Sequence, residues 1–185
     1  MLRSMCFTVV AFLAGAAATR AQEPTPVVIP VVPADSADVA SIDGIVAAWY
    51  EAVSGPVGAP RDWGRDATLY LPGIAFTTVE TDSVGRPRAR TTPKDAWVQD
   101  ADAFLVESGF VERELHRETR RFGNVAHVWS TYEWETADGE RGRGINSIHL
   151  FHDGERWWIT HATWDDERPD NPIPDVWLPG GQSAP

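Results

Sequence analysis

The dipeptide Gly123-Asn124 constrains this chain most, because it sits between two runs that alternate in polarity. A two-residue hairpin loop needs positive φ, which glycine and asparagine tolerate, and it fixes the register of both flanking strands. Phe122 is then expected to pair with Val125, with later pairs stepping outward one residue at a time. Asp153-Gly154 is a second tight-turn signal. Four extended runs result, at 110–121, 124–136, 143–152 and 155–165. Short polar turns join them into an antiparallel meander.

Helices precede the meander. Ile42, Ile45, Val46, Trp49 and Val53 recur at three- and four-residue spacing, which predicts a helix over 39–53 that Ser54-Gly55-Pro56 stops. A short helix or turn follows around 60–66, and 68–72 and 74–81 read as extended. Thr92-Pro93-Lys94-Asp95 predicts a second long helix, with Thr92 as N-cap and Pro93 in the first position. Trp97, Ala101, Phe104 and Leu105 form its apolar face, and Gly109 ends it. Helices first and strands after imply an α+β domain.

The ends read differently. Arg3, the apolar run 6–18 and Thr19-Arg20-Ala21 predict a signal peptide over 1–21, hence a periplasmic or secreted protein without membrane attachment after cleavage. Four prolines within 23–37 predict a disordered linker over 22–37, leaving a domain over 38–178 and a flexible tail over 179–185. Cys6, the one cysteine, lies in the signal, so a cleaved protein has no disulfide and no Cys nucleophile. The net charge of −11 becomes −13 once Arg3 and Arg20 are removed. That charge, with no basic stripe, argues against nucleic acid as a partner.

Three stretches carry a family resemblance: GNVAHVWSTYEWE (123–135), GINSIHLFHDGERWWI (144–159) and TWDDERPDNPIPDVWL (163–178). They resemble the SnoaL-like family of the nuclear transport factor two-like superfamily, in its secreted members of unassigned function. The resemblance implies a cystatin-like α+β barrel. In it a curved antiparallel sheet forms a cone, with N-terminal helices packed on its concave face. It also implies a pocket, used catalytically in ketosteroid isomerase, scytalone dehydratase, limonene epoxide hydrolase and polyketide cyclases and only for binding in other members.

Strand parity sorts the side chains. Around Gly123-Asn124, one face carries Ser130 and Tyr132, opposite Arg113, Leu115 and Arg117. The other carries His127, Trp129, Thr131 and Glu133, opposite Glu112 and Glu114, and its charge sends it outward. A two-residue turn at Asp153-Gly154 pairs Leu150 with Trp157, Ile148 with Ile159 and Asn146 with His161. Placing that face inward needs a register irregularity within 137–142. The expected pocket then has a dry end of Ile148, Leu150, Trp157 and Ile159. Its polar end is Tyr132, Asn146 and His161, with Ser130 and Arg113, capped by Trp49 and Trp97.

Within that pocket His161 is the candidate general base, with Tyr132 beside it, against the favoured reading of His161 and Asn146 as a mutually satisfied polar core. The ketosteroid-isomerase pattern does not transfer, since no Asp joins Tyr132 on the central strands. His149 and His152 fall on opposite strand faces, Asp165-Asp166-Glu167 lacks calcium-loop spacing, and no motif calls for a metal or cofactor. The arginines 113, 117, 120 and 121 are expected to pair with nearby glutamates. Trp129, Trp158 and Trp164, expected outside, need cover, which predicts a homodimer through the outer sheet face. Three readings stay open: a binding module for a small, largely apolar molecule, a hydrolase, isomerase or cyclase, and an interaction domain with a filled pocket.

Overall fold

A computed structural model describes residues 26–181. The expected signal peptide and the chain end 182–185 lie outside the described residues. Three helices open the domain: α1 (Ser36–Val39), α2 (Ile42–Val53) and α3 (Trp63–Ala67). A hairpin of β1 (Ala75–Thr81) and β2 (Pro87–Pro93) leads into α4 (Lys94–Ser108). The meander follows as β3 (Val111–Phe122), β4 (Val125–Glu135), β5 (Arg141–His152) and β6 (Trp157–Asp166). All six strands form one sheet in the order β2-β1-β6-β5-β4-β3, antiparallel except where β1 runs parallel to β6. Among the described residues no helix is long and apolar enough to cross a membrane.

Helix α2 starts where Ser41 Oγ accepts a hydrogen bond from the Gly44 amide at 2.9 Å. Its buried set includes Ala48, Tyr50 and Ala52 besides the expected stripe, because the helix lies on the concave face of the sheet. Helix α4 begins at Lys94, two residues after the expected cap, because Thr92 and Pro93 are still paired to β1. Its buried residues are Lys94, Val98 and Leu105, while Phe104, expected inside, is 51% exposed. Gly109 ends it at φ 64°, donating its amide to the Leu105 carbonyl. Strand β2 is not legible in the sequence because its residues are nearly all exposed and show no apolar alternation.

The described part of the expected linker packs against the domain. Val27 exchanges two hydrogen bonds with the Gln99 side chain, at 2.7 and 2.9 Å, and Val27 and Ile29 pack beside Val53, Trp63, Val98 and Leu105. The prolines forbid helix but suit an extended strap, whose φ angles are already restricted before folding.

Two buried basic residues tie the helices together. Arg61 donates to the carbonyls of Val53, Ala59, Gly55, Leu105 and Phe110, filling the carbonyl-rich ends of α2 and α4. Lys94 Nζ lies 2.7 Å from Asp66 Oδ2, and Tyr70 donates to Asp66 Oδ1 at 2.8 Å. Burial pushes the Asp66 carboxyl up, and the Lys94 ammonium and Tyr70 hydroxyl oppose it.

Phe122 pairs with Val125 as the Gly123-Asn124 turn requires. The 137–142 connection leaves β4 and β5 in unbroken register, from Val125 with Phe151 to Glu135 with Arg141. The irregularities lie elsewhere, in two β-bulges. Leu115 is skipped between Glu114–Tyr132 and His116–Thr131, and Thr160 is skipped between Leu150–Ile159 and His149–His161. The turn at Asp153-Gly154 holds four residues, since Asp153 Oδ1 accepts the amides of Glu155 and Arg156 and His152 pairs with Trp157. One skipped residue moves every later side chain to the opposite face.

Candidate functional site

The Leu115 bulge turns Glu112 and Glu114 toward α2, into the cone, where the expected register had them outside. The Thr160 bulge turns Trp164 inward and leaves His161 outside. Between α2, α4 and the sheet lies a cavity of about 200 Å³. Four of the nine tryptophans, Trp49, Trp97, Trp134 and Trp164, line it together with Phe76 and Phe110. Phe76, Trp97 and Trp164 pack edge to face in a closed trio, with ring centroids 5.4–6.2 Å apart. Phe110 stacks on Trp134 at 5.8 Å.

Tyr50, Glu112, Tyr132 and Asn146 form the polar corner of the cavity. Asn146 Nδ2 donates to the Tyr50 hydroxyl at 3.1 Å and reaches Glu112 Oε1 at 3.4 Å. Tyr50 meets Ser130 Oγ at 2.7 Å, and Ser130 donates to Glu114 Oε1. With Ser130 donating to Glu114, the chain has one direction, Asn146 to Tyr50 to Ser130 to Glu114. Arg117 anchors its end, holding Glu114 by ion pairing at 2.6 Å and reaching Asp43 at 2.6 Å. Tyr132 donates to Asp166 Oδ1 at 2.5 Å.

Electrostatics separate the members of this corner. Burial pushes the Glu112 carboxyl up to about 7, with the Asp166 charge acting in the same direction and the Asn146 hydrogen bond against it. Glu112 is half-buried because its remaining accessible surface lines the cavity. Burial chiefly, with nearby carboxylates, also pushes the Tyr50 and Tyr132 phenols up, so both stay neutral donors at physiological pH. Glu112 is therefore the group in the corner that changes charge near neutrality.

Two glycines make room for the walls. Tyr132 pairs with Gly144 and Trp134 with Gly142 across β4 and β5. A methyl group at 144 would stand 2.2 Å from the Tyr132 oxygen, and one at 142 would stand 2.7 Å from the Trp134 ring. Gly144→Ala is therefore expected to displace the Tyr132 ring and break its bond to Asp166, costing about 1–3 kcal/mol in urea denaturation. Wild-type stability in that variant would show that the ring is free to move.

The expected site residues divide into two groups. Ser130, Tyr132 and Asn146 face the interior together, all buried, and Trp49 and Trp97 line the cavity. Ile148, Trp157 and Ile159, expected to form the dry end of the pocket, are buried in the main core and do not line the cavity. His161 and Arg113 leave the site. Arg113 is on the far face, ion-paired with Glu133, with its side chain 69% exposed. His161 lies in an outer row with His149 and His127. The His149 ring stands 6.0 Å from His161 and 4.9 Å from His127 between centroids, and His161 bonds to Thr163 Oγ1 at 2.7 Å. Tyr50 and Glu112 take their place. The sequence offers one sign of this, the lone Leu115 interrupting the charged alternation of 112–118.

The chain itself covers part of the outer face. Residues after β6 cross it, Trp177 packs edge to face on Trp129 at 5.4 Å, and the Trp177 carbonyl accepts from Thr131 Oγ1. Trp158 lies under the Arg156 guanidinium, and Trp164 points inward. Trp129 and Trp158 are half-buried on this face. Among the described residues no three His, Cys, Asp or Glu side chains are placed to hold a metal ion.

No family model matches the chain, and no curated protein matches it. Solved structures do. The chain is similar to LinA, at 11% identity, 79% of this chain and 92% of that one, with a TM-score of 0.52. It is similar to a protein of unknown function from Mycobacterium tuberculosis, at 17% identity, 73% and 80% coverage, and a TM-score of 0.51. It is also similar to an NTF2-like protein of unknown function from Pseudomonas putida KT2440, at 14% identity, 78% and 94% coverage, and a TM-score of 0.50. These likenesses show the fold alone: an α+β cone like that of the NTF2-like protein.

Proposed function

We propose that this chain is a secreted or periplasmic domain that binds a small, largely apolar molecule in the cone. The observation that carries the reading is the cavity itself, with six Trp and Phe rings as walls and one polar corner. A volume of about 200 Å³ suits a molecule of one ring and a few further atoms, since a dry cavity of about 150 Å³ admits benzene. Secretion rests on the N-terminal signal pattern, and placement in the SnoaL-like branch on the three late-strand stretches. Benzyl alcohol tests the binding. It is expected to perturb tryptophan fluorescence saturably, because four indoles line the cavity. Val53→Phe, which puts a ring into the same space, is expected to weaken that binding by about tenfold or more. Equal binding in the variant places the ligand elsewhere.

Glu112 favours a second reading, proton transfer within the same cavity. A carboxyl held at about 7 is matched to general-base work at neutral pH. 5-Nitrobenzisoxazole tests it. A base removes its ring C–H proton as the N–O bond breaks to give a cyanophenolate, with no other participant. Acceleration that rises through about pH 7 and is lost in Glu112→Gln supports the reading. Acceleration no greater than buffer, or loss in His161→Ala instead, contradicts it.

A further inference from the structure

We propose that the occupant of this cavity is a small monocationic amine, with an aromatic or alicyclic body among the tryptophans and its ammonium group against Glu112. The inference rests on the binding reading above and narrows it to a charge class. Among the described residues that line the cavity, Glu112 is the only charged one. The next layer is acidic as well: Asp166 stands behind Tyr132, and Glu114 behind Ser130. Arg117, the cation that meets that layer among the described residues, is already engaged by Glu114 and Asp43. Arg61, near the helix ends that supply Val53 and Leu105, commits its guanidinium to main-chain carbonyls. An anionic ligand would find no positive charge among the described residues that line the cavity and would meet a like charge at the corner.

A cation meets the opposite conditions. Aromatic rings attract an ammonium group through their quadrupoles, by about 0.5–2 kcal/mol when water is excluded. Glu112 supplies the counter-charge. Its carboxyl is disfavoured as an anion because burial leaves it without a cation, and the ammonium group is that missing partner. The polar corner offers further acceptors, since Tyr50 keeps an oxygen lone pair beside Asn146. The net charge of −11 draws cations toward the molecule from solution.

Benzylamine, benzyl alcohol and benzoate share one ring and nearly one shape, and differ in charge. Titrated into the full chain by calorimetry at about pH 8, where Glu112 is ionised, benzylamine is expected to bind at least about tenfold more tightly than benzyl alcohol, with benzoate weakest. The preference should shrink as pH falls through about 7. The titratable and charged groups near Glu112 are Tyr50, Tyr132, Asp166, Glu114 and Arg117. Glu112→Gln should erase the preference of benzylamine over benzyl alcohol. Equal binding of all three, or a preference that survives Glu112→Gln, overturns the amine and leaves the binding reading intact. Failure of all three to bind overturns the binding reading and the amine together. The wild-type series decides the point even if the variant does not fold.

Discussion

Replacing Lys94 by methionine is expected to destabilise the protein by about 3–5 kcal/mol at neutral pH, which urea denaturation would measure. Methionine keeps the length and apolar stem of lysine, so packing changes little. What changes is charge. Asp66 and Lys94 are both almost inaccessible, at 1% and 5% exposure, and their 2.7 Å contact is what compensates two buried charges. Without Lys94, Asp66 keeps only the Tyr70 hydroxyl as a partner. The variant should recover as pH falls, because protonation removes the orphaned charge. Lys94→Met combined with Asp66→Asn should recover most of the loss at neutral pH, since both charges are then gone. A loss that does not change with pH would mean that the lysine acts through packing.

Glu112→Gln is expected to work in the opposite direction. The folded carboxyl titrates at about 7, above its ordinary value of 4.5. A raised folded value means that the proton is held more tightly in the native state. Its contribution to stability is full below the ordinary value, is lost as pH rises through about 7, and is constant above that. Each tenfold change in proton affinity is worth about 1.4 kcal/mol. The cavity-facing surface of Glu112 adds some screening, so the swing is on the order of 2–3 kcal/mol. Glutamine does not titrate. Relative to the variant, wild type should therefore lose about 2–3 kcal/mol between about pH 4 and about pH 8. A gap that stays constant over that range would show that the Glu112 carboxyl is solvated.

The parts of this fold legible in the sequence are those with a short-range cause. The Gly123-Asn124 turn sets the β3–β4 start, the α2 stripe identifies a core helix, and Gly109 marks the end of α4. Ser130, Tyr132 and Asn146 fall inside as expected because β4 and the first part of β5 pair without a bulge. His161, Arg113, Glu112 and Trp164 fall on the opposite face from the expected one for a single physical reason. A bulge costs one residue of register and reverses every side chain beyond it, and neither Leu115 nor Thr160 carries the glycine that would advertise one. Glycines do mark close approach at 142 and 144, but the approach is side chain to backbone and leaves the ladder regular. Tyr50 escapes the sequence pattern because it lies beside the helix stripe, on a helix buried around most of its circumference.

The most direct test of a ligand cavity at Glu112 is a crystal structure of the protein soaked in benzyl alcohol. The ring is expected among Phe76, Trp97 and Trp164, with its hydroxyl toward Glu112 and Asn146. A ring bound instead on the outer face of the sheet, in the groove that His149, His161, Trp129 and Trp177 line, with the cone empty, would contradict it.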